Sequence, residues 1–143
     1  AGHSAGGYLT SMIGLDKRWL EPYGIDPDTA FVALIPYSGQ VVTHFERRRE
    51  LGLPDTQPLV DDMAPLSYVR PDCRPMLILS GDREREMLGR YEENAYFWRM
   101  MRVAGHPDVR ICEFDGFDHG NMPQAGHFVA VRYIREMERR MDR

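Results

Sequence analysis

The sequence predicts an α/β fold in which a parallel sheet is covered by helices on both faces. Three observations carry this expectation. Short continuous apolar runs recur along the chain, each bounded by turn residues. Stretches with apolar residues at spacings of three and four lie between them. Alternation of the two implies right-handed crossovers, which place successive strands parallel and their helices on the sheet faces.

The elements follow in order. Residues 1–7 read Ala-Gly-His-Ser-Ala-Gly-Gly, a Gly-x-Ser-x-Gly turn in which Gly2 and Gly6 flank Ser4. Such a turn is the sharp strand-to-helix elbow that lifts a serine hydroxyl clear of the backbone, and a Cβ at either glycine is expected to clash. Tyr8, Leu9, Met12, Ile13 and Leu15 then recur at helical spacing, so a helix runs to about Leu15. After a turn-rich stretch over 21–28, residues 30–35 form an unbroken apolar run, as expected of a strand buried on both faces. Residues 76–79 form a second such run. Leu88, Tyr91, Ala95, Trp98 and Met101 outline an amphipathic helix that stops near Gly105 and Pro107. Residues 109–114 alternate and read as a third strand, with one less buried face. A last helix over 126–141 carries Phe128, Val131, Ile134 and Met137 on one stripe, with arginines in its final turn where the helix dipole favours them.

One connection is far longer than the usual link of about 2–6 residues in such folds. Residues 37–74 hold an arginine-rich helical patch over 45–51 and a proline-rich stretch over 54–75. Two readings stand for this segment: part of a substrate cap over the carboxyl ends of the strands, where open parallel sheets bind ligands, or a decorated crossover. Arg47, Arg48 and Arg49, bracketed by Glu46 and Glu50, read as a solvated helix face.

Bulk properties exclude several classes. A length of 143 residues suits one domain with a sizeable core. A net charge of -4 argues against a phosphate-tracking surface, so no nucleic acid is expected as a partner. No apolar run approaches the ~20 residues that span a bilayer. Cys73 and Cys112 form neither a disulfide framework nor a metal-like spacing. His44, His106 and His127 make no ligand set and read as surface or capping residues, so neither metal nor cofactor is expected.

The chemistry lies in three motifs. A serine hydroxyl is a weak nucleophile until a base takes its proton, and that base is usually a histidine oriented by a carboxylate. Hydrolases built on this elbow place the three along the chain as serine, acid, histidine. Here Ser4 comes first. Asp82-Arg83-Glu84 lies just past the second apolar run, and His119 follows the third in Gly116-Phe117-Asp118-His119-Gly120. Each candidate sits at the carboxyl end of a strand, so all three loops open on one edge of the sheet.

On these motifs the chain resembles the C-terminal half of an α/β-hydrolase. The likeness is greatest to the esterase and lipase branch that includes carboxylesterases and feruloyl or acetyl-xylan esterase-like proteins. It covers essentially the whole chain, 1–143, and implies that these residues are one portion of a single domain, with the N-terminal half expected to be missing. The resemblance implies the last three strands of the sheet, an acyl-enzyme mechanism on a small-molecule ester, and an oxyanion donor at the backbone N–H of Ala5. Relatives often carry the acid as Gly-x-x-Asp after this strand. Counting from Gly81 favours Glu84, with Asp82 second as a turn-holding residue and Glu86 third. His3 reads as a residue packed beneath the turn and, with Tyr37 and Phe117, as a candidate for the substrate side. An amide or peptide hydrolase of the prolyl-oligopeptidase-like or formamidase-like branch shares the triad order and remains an alternative, as does an inactive hydrolase-fold binding domain. Without the strand ahead of the elbow, residues 31–35 are expected to offer an open apolar edge and to favour self-association.

Overall fold

A computed structural model describes residues 1–142. Four parallel strands make one sheet in chain order: β1 (Gly2–His3), β2 (Pro36–Tyr37), β3 (Met76–Gly81) and β4 (Val109–Phe114). Five α-helices accompany them: α1 (Ala5–Leu15), α2 (Pro27–Ala30), α3 (Phe45–Glu50), α4 (Arg90–Val103) and α5 (Met122–Met141). The expected α/β class with a parallel sheet is what forms. It has one more strand than expected, because Gly2–His3 lie in register beside Pro36–Tyr37 as a two-residue strand.

The strand expected over 30–35 is displaced towards the C-terminus. Asp26 caps α2 by accepting from the Asp28 N–H, and Pro27 occupies the first turn, so the chain is still helical at Ala30. Pairing to β3 starts only at Leu34, whose N–H donates to Pro75 O and whose carbonyl accepts from Leu77 N. It ends with Ser38 N donating to Leu79 O at 2.7 Å. Phe31, Val32 and Ala33 are half-buried against the core rather than forming an open ladder edge.

Every residue of β3 is buried, and its alternation divides the core in two. Met76 and Ile78 point to the α4 side, into a cluster with Leu15, Leu34, Val41, Phe97 and Met101. Leu77 and Leu79 point the other way, into a cluster with Ile35, Tyr37, Met122, Tyr133 and Met137. Two layers of helix on one sheet follow directly from a strand that is apolar at every position.

Both long helices turn a face inward that overlaps the expected one only in part: Met101 and Trp98 of α4 and Met137 of α5 pack inward as expected. The buried stripe of α4 is Arg90, Asn94, Phe97 and Met101, while Leu88 is fully exposed ahead of the helix. On α5 the buried residues are Met122, Gly126, Ala130, Tyr133 and Met137; Phe128 and Val131 are exposed. The reason is steric. A Cβ at Gly126 would lie 2.7 Å from a ring carbon of Tyr37, so α5 comes closest to β2 at Gly126, and the face that carries this glycine is the one turned inward.

The long connection is folded onto the body. Arg48 is buried, against the expected solvated face, and donates to the carbonyls of Thr43, Asp55 and Gln57, which staples the segment after α3. Arg47 and Arg49 stay exposed and pair with Glu50 and with Glu46 and Asp55. Tyr8 of α1 donates to Met63 O at 2.7 Å.

His106 is also buried rather than on the surface, and Cys73 O lies 3.1 Å from its Nε2. Burial pushes the Cys73 thiol up to about 11, which leaves little thiolate at neutral pH. Iodoacetamide at pH 8 is therefore expected to alkylate half-buried Cys112 well before Cys73. Peptide mapping of a time course that found equal rates would contradict this burial.

Candidate active site

The site is assembled at the carboxyl ends of three parallel strands. Ser4 follows β1 at the head of α1, with φ 56° and ψ -113°, a conformation sparsely populated by residues other than glycine. Its N–H donates to Tyr37 O at 2.9 Å, which anchors the elbow to β2. The turn is close-packed at Gly2, where a Cβ would come within 2.5 Å of the Gly6 backbone. Gly6 itself is open, contrary to expectation: a Cβ there meets nothing within 4 Å. The second crowded glycine is Gly7, whose Cβ would lie 2.8 Å from Tyr37 O.

His119 follows β4 and reaches back over the elbow. Its Nε2 lies 2.9 Å from Ser4 Oγ, and its Nδ1 lies 2.5 Å from Oε1 of Glu86. The acid placed against the histidine is thus Glu86, the third of the three candidates. Glu84 is exposed, and among the described residues its side chain makes no hydrogen bond to His119. Asp82 holds the turn instead: its carboxylate accepts from the N–H groups of Glu84 and Gly116, at 2.9 and 2.7 Å. Its own N–H donates to Phe117 O, so it ties the acid loop to the histidine loop. The displacement from 84 to 86 has a plain cause. Residues 82–86 wind through one helical turn, with Glu86 N donating to Asp82 O, so the side chain that returns over the sheet is four residues on.

Glu86 is fully buried as a side chain, and all four of its acceptor positions are used. Oε1 accepts from His119 Nδ1 and Met87 N, and Oε2 accepts from Ser38 Oγ and Gly81 N. Burial alone would raise its pKa, but the hydrogen bonds from His119, Ser38 and Met87 outweigh it and hold the carboxyl at about 2. An ionised carboxylate can only accept, so Nδ1 carries a proton, and the tautomer with its proton there presents Nε2 as an acceptor. The Ser4 hydroxyl therefore donates to His119.

Other expected residues take less direct places. His3 is half-buried; its Nε2 lies 2.8 Å from His119 O and its ring sits 4.6 Å from the His119 ring. Its role is to hold the histidine loop, and burial lowers its pKa, followed in effect by the neighbouring His119. Tyr37 is buried under α5, with its hydroxyl 3.3 Å from His127 Nδ1. Phe117 packs partly into the α5-side core, edge-on to Phe114. Ala5 stands at the first turn of α1, where backbone N–H groups lack intrahelical partners. A pocket of about 620 Å³, lined by Gln40, Val42, Phe45, Met87 and Arg90 among others, adjoins the acid loop but does not include Ser4 or His119.

Residues that the sequence did not single out complete the arrangement. Ser38, fully buried at the end of β2, bonds Glu86, and Arg90 donates to Ser38 O. The only signal for Ser38 was its place after a strand, beside Gly39.

No family model matches the chain, and no curated protein matches it in sequence. Solved structures do. An esterase from the planctomycete Thermogutta terrifontis, with propionate bound, superposes with a TM-score of 0.71 at 21% identity, over 95% of this chain and 54% of that one. The same esterase phosphonylated by sarin gives 0.69 at 19% identity, over 95% and 55%. An acylaminoacyl peptidase in complex with a peptide chloromethyl ketone gives 0.54 at 18% identity, over 83% and 19%. This chain spans about half the length of the esterase structures it matches. Its sheet and helices match that part of the α/β-hydrolase fold.

Proposed function

We propose that this chain carries the serine, histidine and acid of a carboxylic ester hydrolase that works through an acyl-enzyme. The observation that supports this reading is the continuous line of hydrogen bonds from Ser4 Oγ through His119 to Glu86. In the proposed reaction Ser4 Oγ attacks the ester carbonyl while His119 Nε2 takes the hydroxyl proton. The imidazolium is stabilised by Glu86, and it then passes that proton to the departing alkoxide. Water, deprotonated by the same ring, attacks the acyl carbonyl and restores Ser4. In this reading the N–H of Ala5 serves as one donor to the oxyanion, a contribution usually worth about 10²–10³ in rate. The likeness to esterases in fold favours ester over amide substrates; the likeness to a peptidase keeps the amide reading as the second one.

A fluorophosphonate probe with peptide mapping tests the reading. The expected result is one adduct, on Ser4, which disappears in His119→Ala. Failure of the wild-type chain to label would leave Ser4 as a turn serine and move an inactive binding domain to the front. Given labelling, matched p-nitrophenyl ester and p-nitroanilide substrates decide between ester and amide preference.

A further inference from the structure

Ser38 combines three properties that seldom meet in one residue. It is fully buried, it holds φ at 46° without being glycine, and its hydroxyl is within hydrogen-bond distance of both Glu86 and His119. A left-handed conformation at a non-glycine residue is strained and persists only where the surroundings impose it. They do so here. Its N–H donates to Leu79 O, and its carbonyl accepts from Nη1 of the buried Arg90. The next carbonyl, that of Gly39, accepts from Asn94 Nδ2 at 2.8 Å. Arg90 is itself held by Glu93, whose other oxygen accepts from Val41 N and Val42 N. The first turn of α4 thus clamps the end of β2 in the one conformation that aims Ser38 Oγ at the acid.

We infer that Ser38 is a positioning residue of the site: its hydroxyl orients Glu86 and shares the Nδ1 proton of His119. The inference rests on the serine-hydrolase reading above for its rate consequences, but not for its geometry. Ser38 Oγ–H donates to Glu86 Oε2 at 2.7 Å, which turns the opposite oxygen, Oε1, onto Nδ1. A lone pair of the same Oγ lies 3.0 Å from Nδ1, so the ring N–H has a second acceptor. Without this hydroxyl the carboxylate keeps one donor on Oε2, the Gly81 N–H, and is held less firmly against the ring.

Two variants separate the hydroxyl from the backbone. Ser38→Ala removes the hydroxyl and keeps the strained φ, whereas Ser38→Gly removes the hydroxyl and relieves it. The second-order rate of fluorophosphonate attack on Ser4 should fall about tenfold in both, the scale of one hydrogen bond to a charged group. A glycine variant that labels at the wild-type rate would overturn the inference, since only the turn would then matter. The second measurement does not depend on reactivity. The Nδ1 proton of His119, identified by its loss in His119→Ala, should give a far-downfield NMR resonance that shifts in both variants. An unchanged resonance would overturn the inference even where the rate falls. If wild type fails to label while the resonance shifts as expected, the hydrolase reading fails and the positioning role stands.

Discussion

Under the proposed acyl-enzyme mechanism, Glu86→Gln is expected to lower ester turnover by about 10³–10⁴-fold, the scale seen when a triad acid is replaced by its amide and the histidine loses its working tautomer. Glutamine keeps the volume of the side chain, but it presents an NH₂ group as well as a carbonyl. Four donors now converge on that position. An amide cannot accept from all of them, and either His119 or Ser38 is left facing an N–H. Glu84→Gln, by contrast, should change turnover less than twofold, because that side chain is exposed and makes no contact with His119. Asp82→Asn is expected to weaken the loop, since the carboxylate accepts from two backbone N–H groups. Its cost is therefore expected in stability first and in rate second. Steady-state kinetics on the three variants with one p-nitrophenyl ester distinguishes these roles, and a Glu84→Gln enzyme as slow as Glu86→Gln would refute the assignment.

The same carboxylate predicts a pH dependence of stability. Its pKa is depressed in the folded chain, from an ordinary 4.5 to about 2, by His119, Ser38 and Met87 acting against burial. A depressed acid contributes stability that is complete above its unfolded pKa and is lost as the pH falls through its folded one. The stability gap between wild type and Glu86→Gln in denaturant melts should thus be widest above pH 4.5 and narrow towards pH 2.

The fold class was legible because its signals are local and redundant. A strand that is apolar at every position, 76–79, can only be covered on both sides, and it is. Ser4 and His119 were legible for a related reason: each follows a short strand in a glycine-bounded loop, and parallel strands bring such loops to one edge. What escaped depended on a count or on a packing face. The acid moved from 84 to 86 because the loop coils once, which residue types alone do not reveal. The stripe of α5 was misjudged except at Met137, because apolarity marks the residues that could be buried, whereas the close approach to Tyr37 turns the Gly126 face inward. Arg90 and Asn94 are of types that are mostly exposed in folded proteins, yet both are buried, where they donate to the carbonyls at the end of β2.

The glycines of the elbow give the second large effect, on stability. Reading the turn from its motif put the crowding at Gly2 and Gly6, the two that frame the serine. The backbone puts it at Gly2 and Gly7. Gly7 stands against Gly39: a Cβ on Gly7 would lie 2.9 Å from Gly39 Cα and N, and one on Gly39 would lie 2.5 Å from the Gly7 carbonyl carbon. Both clashes are with main chain, so no side chain can turn aside to relieve them. Gly7→Ala must push α1 away from the end of β2, the segment that carries Tyr37 and Ser38, and should cost about 3 kcal/mol or more. The displacement would also draw Ser4 from His119, because Ser4 N bonds Tyr37 O directly. Gly6→Ala meets open space inside a helix, where alanine is favoured over glycine by up to about 1 kcal/mol, and should leave stability unchanged or raise it. Urea melts of the two variants provide the comparison. A Gly7→Ala chain as stable as wild type would mean that the helix and the strand do not meet backbone to backbone, and the placement of Ser38 beside the acid would have to be redrawn with it.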